Sequence, residues 1–159
     1  MDLGLKGKTA LITGASKGIG LATAFSFAQE GIGKLHLAAR SEDKLAEARD
    51  ELVRRFGVTV EIHATDLSKT ENVIALAARC ADADILVNNA ADSTPGPLDK
   101  LSDAQWRESL DMKIFSYATL TREIYAHMKQ RGHGVIVNDI GNSGENWDAN
   151  YIVCLLYTS

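Results

Sequence analysis

Thr13-Gly14-Ala15-Ser16-Lys17-Gly18-Ile19-Gly20 stands between two runs of different periodicity, and that placement decides the fold. Before it, Lys8-Thr9-Ala10-Leu11-Ile12-Thr13 is short, apolar and β-prone, which predicts a strand buried on both faces. After it, Ile19, Ala22, Phe25 (or Ser26) and Ala28 fall near helical spacing until Gly31 ends the pattern. A strand, a three-glycine turn and a helix put a helix N-terminus at the strand's carboxyl end. Free N–H groups and the helix dipole favour an anion there, a pyrophosphate above all. No Gly-Lys-Ser/Thr follows the turn, which argues against a triphosphate-binding P-loop.

The alternation continues along the chain. Lys34 to Ala39 predicts a second strand, and Leu45, Ala48, Leu52 and Phe56 then share one helix face, closed by Gly57. Val58 to Ile62 predicts a third strand, with Asp66 beyond its end. Ser68 or Thr70 caps a helix carrying Val73, Leu76, Ala77 and Cys80, and Ile85 to Asn88 predicts a fourth strand. Pro95 and Pro97 mark a loop. Ser102 then caps one long helix with Trp106, Leu110, Ile114, Tyr117, Ile124 and Met128 on its stripe. Gly132 and Gly134 frame its end, and Val135-Ile136-Val137 opens a fifth strand. Such alternation predicts a parallel sheet with helices on both faces and right-handed crossovers. The glycine turn, Arg40, Asp66 and Asn88 then all fall at the carboxyl ends of strands, where such sheets bind ligands.

The glycines stand as Gly-x-x-x-Gly-x-Gly after a Thr, and a second marker, Asp84-Ile85-Leu86-Val87-Asn88-Asn89-Ala90-Ala91, accompanies the fourth strand. Together they resemble the short-chain dehydrogenase/reductase family, whose corresponding motif is Asn-Asn-Ala-Gly; Ala91 is a mild departure. The resemblance runs from about Gly7 to Tyr151. It implies an α/β, doubly wound parallel sheet of Rossmann type with strand order 3-2-1-4-5, here lacking its C-terminal strands. It also implies an oxidoreductase that passes a hydride between nicotinamide and a carbonyl/hydroxyl substrate. The alternative is a non-catalytic dinucleotide-binding sensor or scaffold of the same fold.

By that resemblance Gly14, Ser16, Lys17, Gly18, Ile19 and Gly20, then Leu67 beside Asp66, and Ala90 contact the cofactor. Asn88 approaches its ribose side, while Asn89 ties neighbouring strands. Asp66 either holds the adenine amino group or shapes the turn into the next helix. Ala39 stands where NAD-preferring relatives carry an acid, and Arg40 follows. An Arg near this position suits the extra phosphate of NADP. Arg40 and Lys17, with no competing carboxylate apparent, select NADP over NAD, unless Arg40 is merely a solvated strand terminus.

In this family a Tyr is the general acid/base, a Lys four residues later lowers its pKa, a Ser orients the substrate oxygen, and an Asn in the long helix supports a proton-relay water. A phenol with a pKa of about 10 needs such a cation to work at neutral pH. Tyr151 matches the Tyr position. The serine position falls on Gly141; Ser143, two residues on, either supplies the hydroxyl from a reshaped loop or has no part. Lys113 occupies the asparagine position, as an exposed helix residue or as a cation in the site. The lysine position falls on Leu155. Residues 154–159, Cys154 to Ser159, match one reading frame of a transposon-based sequencing adaptor and are expected to be non-native, leaving 1–153 as an incomplete domain. Such a fragment is expected to expose its fifth strand, to be poorly soluble and to be inactive.

Composition limits the remaining possibilities. The 159 residues support one domain, and a net charge of −4 offers no basic face for nucleic acid or a membrane. The sequence shows neither a membrane-length apolar run nor a signal-peptide layout, so a cytoplasmic protein is expected. The two cysteines form no disulfide framework, and Cys80 reads as a small core residue. His36, His63, His127 and His133 show no metal spacing, so no metal is expected. A small-molecule substrate and, for the full-length protein, a homo-oligomer are implied by the resemblance.

Overall fold

The computed structural model describes residues 3–92, 95–140 and 153. Five parallel strands, β1 (Thr9–Thr13), β2 (Lys34–Ala39), β3 (Thr59–Ala64), β4 (Ile85–Asn88) and β5 (Val135–Asn138), form one sheet in the order β3-β2-β1-β4-β5. The chain winds outward from β1 to β3, then returns to place β4 on the other side of β1. Loops leaving β1 and β4 therefore diverge, opening a crevice between them at the strands' carboxyl ends.

Alternation along each strand divides the core. Ala10, Ile12, Leu35, Leu37, Ile85 and Val87 pack under α1 (Gly18–Gln29) and α2 (Glu42–Phe56). Leu11, Ala38 and Leu86 face the opposite way, against Val73, Leu76 and Ala77 of α3 (Thr70–Arg79) and Leu120, Ile124 and Met128 of α5 (Ser116–Arg131). The short helix α4 (Asp103–Leu110) precedes α5 and begins with the capping box of Ser102 and Gln105.

Three local expectations are corrected. The buried face of α1 is Gly20, Ala24 and Ala28, while Ile19 is 66 % exposed. Close packing of Gly20 beneath the glycine turn sets the helix phase and turns Ile19 outward. Neither Ser68 nor Thr70 caps α3: its N-cap is Lys69, without a side-chain bond, and the Ser68 hydroxyl instead donates to Asp66 Oδ1 at 2.8 Å. The long helix after Ser102 is interrupted by a π-helical turn, Asp111–Phe115. A π turn inserts a residue and so rotates the faces of the helix on its two sides relative to each other. Ile114 and Phe115 are thus exposed, Met112 and Lys113 are buried, and the apolar stripe holds only from Tyr117 onward.

Candidate active site

The floor of the crevice is built by close contact between the β1 turn and the end of β4. Gly14 has φ +67°, and a Cβ there would stand 2.7 Å from Asn89 Nδ2 and 3.0 Å from Ala90 Cα. A Cβ on Gly20 would stand 2.5 Å from the Gly14 carbonyl oxygen. Gly18 differs: a Cβ there would meet nothing within 4 Å, so its bare backbone faces open space at the start of α1. The first N–H groups of a helix lack intrahelical partners, and no acidic side chain occupies the first turn of α1 to compete for an anion.

Thr13 fastens this floor. Its buried hydroxyl accepts from the backbone N–H of Asn89 (2.9 Å) and of Ala90 (3.0 Å), and donates to the Val87 carbonyl. Asn89 ties β4 to β1 as expected, its Nδ2 donating to the Thr13 carbonyl at 2.9 Å, and it also lines the crevice. Asn88 does not line it. Asn88 stands in register with Asn138, so both side chains project to the same side of the sheet, towards α5. Asn88 is fully buried, and its Nδ2 donates to Thr121 Oγ1 at 3.0 Å and Asn138 Oδ1 at 2.9 Å. Its role here is to join β4, β5 and α5.

The crevice encloses about 370 Å³. At the β2 side it is lined by Lys17, Arg40, Ser41 and Lys44, with Leu67 and Ala90 farther along. Lys44, in the first turn of α2, adds a cation to the two read from the sequence. The absence of a competing carboxylate does not hold: Arg40 pairs with Asp92 at 2.6 Å, both side chains being more than half exposed. An exposed pair of this kind contributes little, about 0–1 kcal/mol. Asp66 borders an adjoining hollow with Arg40 and Asp92. Its Oδ1 accepts from the Ser68 N–H at 3.0 Å, and that bond holds its carboxyl below the ordinary value of 3.8. Asp66 therefore shapes the turn into α3.

Beside the crevice-lining Met112, the π turn carries Lys113 inward, to 6 % exposure. The exposed-helix reading of Lys113 is overturned. Its ammonium donates to Tyr117 Oη at 2.9 Å and to the Asp139 carbonyl, at the end of β5; the Tyr117 hydroxyl also donates to that carbonyl. Met112, its neighbour, lines the crevice. Gly141, Ser143 and Tyr151 lie outside the described residues.

The family model of the short chain dehydrogenases matches residues 8–153. The chain belongs to that family. Among the relatives of this short-chain dehydrogenase chain is the 3-oxoacyl-[acyl-carrier-protein] reductase FabG of Escherichia coli (strain K12), 31% identical over 153 residues, covering 94% of this chain and 62% of the relative. In structure it is similar to the L-sorbose reductase of Gluconobacter frateurii complexed with NADPH and L-sorbose, at a TM-score of 0.93 and 33% identity, covering 99% of this chain and 61% of that one. A metagenomic short-chain oxidoreductase in complex with NADP is similar at a TM-score of 0.89 and 31% identity, covering 97% and 71%. The chain thus spans about three fifths of the length of the first two. Within this short-chain dehydrogenase fold, Lys44, Asp92 and Thr13 are site or support residues that the motif reading did not assign. Lys44 stands in the first turn of the helix that follows Arg40, the signal that could have found it.

No helix among the described residues is long and apolar enough to cross a membrane.

Proposed function

We propose that the protein is an NADP-dependent oxidoreductase acting on a carbonyl/hydroxyl pair, with the dinucleotide lying across the carboxyl ends of β1 and β4. The observation that carries this reading is the cationic end of the crevice, where Lys17, Arg40 and Lys44 surround the place next to Ala39. An acid in that region would favour the two ribose hydroxyls of NAD, whereas cations favour the added phosphate. The glycine turn fits a pyrophosphate, because Gly18 leaves its backbone open where a side chain would obstruct approach. NADPH and NADP in the similar solved structures support the same assignment.

When bound, NADP(H) supplies or accepts the hydride. Tyr151 is proposed to give its phenolic proton to the carbonyl oxygen in reduction and to recover it in oxidation. Lys113 is buried next to the crevice-lining Met112, and we assign it to stabilising negative charge on the proton-transfer system. Ser143 is proposed to orient the substrate oxygen. Titration with NADPH and NADH, followed by nicotinamide fluorescence, tests the cofactor assignment. The expected preference is roughly ten- to a hundredfold for NADPH, from one charge-assisted contact of about 1.5–3 kcal/mol. Equal affinities would overturn it. For the chemistry, Tyr151→Phe in the full-length protein should abolish turnover while leaving NADPH affinity nearly unchanged; retained turnover would assign the proton to another group.

A further inference from the structure

We propose that His36, His63 and Cys80 form a structural site for a zinc-type divalent cation, pinning β2, β3 and the end of α3 together. The three residues are separated by 27 and 17 positions, which hid them from any spacing pattern. In the fold, His36 Nδ1, His63 Nε2 and Cys80 Sγ all lie within 4.8 Å of one another, and all three residues are buried.

The distances approach those of a tetrahedral site. Zn–N bonds of about 2.05 Å and Zn–S bonds of about 2.3 Å place two nitrogens about 3.3 Å apart and a nitrogen and a sulfur about 3.6 Å apart. His63 Nε2 stands 3.6 Å from Cys80 Sγ and 2.9 Å from His36 Nδ1. Small side-chain rotations would open the nitrogen pair and draw the sulfur in.

The surroundings orient the ligands. Asp82 Oδ1 lies 2.9 Å from His36 Nε2. A neutral imidazole that donates from Nε2 to this carboxylate leaves the Nδ1 lone pair directed at His63 and Cys80. A carboxylate behind a histidine is the arrangement that fixes tautomer and direction in metal sites. Glu61 Oε2 is 3.5 Å from His36 Nδ1 but lies outside the group of mutually close ligand atoms, and its Oε1 is held by Lys34 at 2.9 Å. Burial keeps His63 below its ordinary 6.5. The same burial pushes the Cys80 thiol up to about 12, so without a cation it is an inert core residue. Metal binding would displace the thiol proton to solvent. Two imidazole nitrogens and a thiolate suit zinc better than calcium or magnesium, which prefer oxygen.

Cobalt(II) titration of chelator-stripped protein, followed by absorption, tests this site. One cobalt per chain should bind with a thiolate-to-cobalt charge-transfer band and the intense visible bands of tetrahedral geometry, both bleached by zinc. The charge-transfer band should vanish in Cys80→Ser and persist in Cys154→Ser. Competition against a chromophoric chelator should show zinc binding weakened about ten- to a hundredfold by Asp82→Asn. No charge-transfer band in the wild type, or one that survives Cys80→Ser, overturns the proposal. If Cys80→Ser does not fold, the wild-type spectrum together with the Asp82→Asn shift decides it, and an unshifted affinity counts against the site.

Discussion

Removing the Thr13 hydroxyl while keeping the side chain's shape should loosen the crevice floor out of proportion to the atoms changed. In Thr13→Val the volume is nearly conserved, so the cavity contribution is small. What changes is the pairing: the N–H groups of Asn89 and Ala90, now 2.9 and 3.0 Å from Thr13 Oγ1, lose their acceptor. Ala90 is buried, whereas Asn89 is part-exposed and water can relieve some of its loss. A buried donor left unpaired costs about 1–3 kcal/mol, so the sum should be about 2–4 kcal/mol. At about 2–4 °C per kcal/mol for a domain of this size, Tm should fall by roughly 4–16 °C. Thr13→Ser is the control, since it keeps the acceptor and loses one methyl, at a cost of about 1 kcal/mol. Urea unfolding of the three proteins provides the comparison. Equal destabilisation by Val and Ser would mean that packing, and not the hydroxyl, holds β1 to β4.

Asp92→Asn should free Arg40 from its ion pair and tighten NADPH binding more than NADH binding, by a few-fold; equal changes in the two titrations would separate Arg40 from the phosphate. Asp66 contributes its stabilisation fully above pH 3.8 and loses it as pH falls through its lower folded value, so Asp66→Asn should flatten the acid-unfolding profile below pH 3.8; an unchanged acid limb would refute this. Among the described residues β5 pairs with β4 alone, and Val135 and Val137 are 56 % and 46 % exposed. Val137→Lys should therefore reduce self-association in size-exclusion chromatography at low salt, and an unchanged profile would place the contact elsewhere.

The strands, the helices between them and the glycine turn were legible because their causes are local, whereas the strand order came from the family resemblance. Apolar runs, helical stripes and glycine turns each act within a few residues, and the right-handed crossover leaves little freedom in assembling them. Gly14, Gly18 and Gly20 could be placed for the same reason. The long helix after Ser102 was less legible, since one inserted residue at the π turn changes the face of everything before Tyr117 without leaving a mark in composition.

What the sequence by itself determined, then, is a doubly wound sheet with an anion-binding turn at its centre, and membership of a family that uses it for dinucleotides. Tertiary structure decided which polar side chains meet. Asn88 belongs to β5 and α5, and Asn89 to the crevice, because in-register pairing fixes the side to which each strand residue points. Arg40 meets Asp92 across 52 positions, Lys113 reaches the Asp139 carbonyl across 26, and His36 meets His63 across 27. Contacts of such separation depend on register, helix phase and rotamer together, and a pattern confined to neighbouring residues carries none of these.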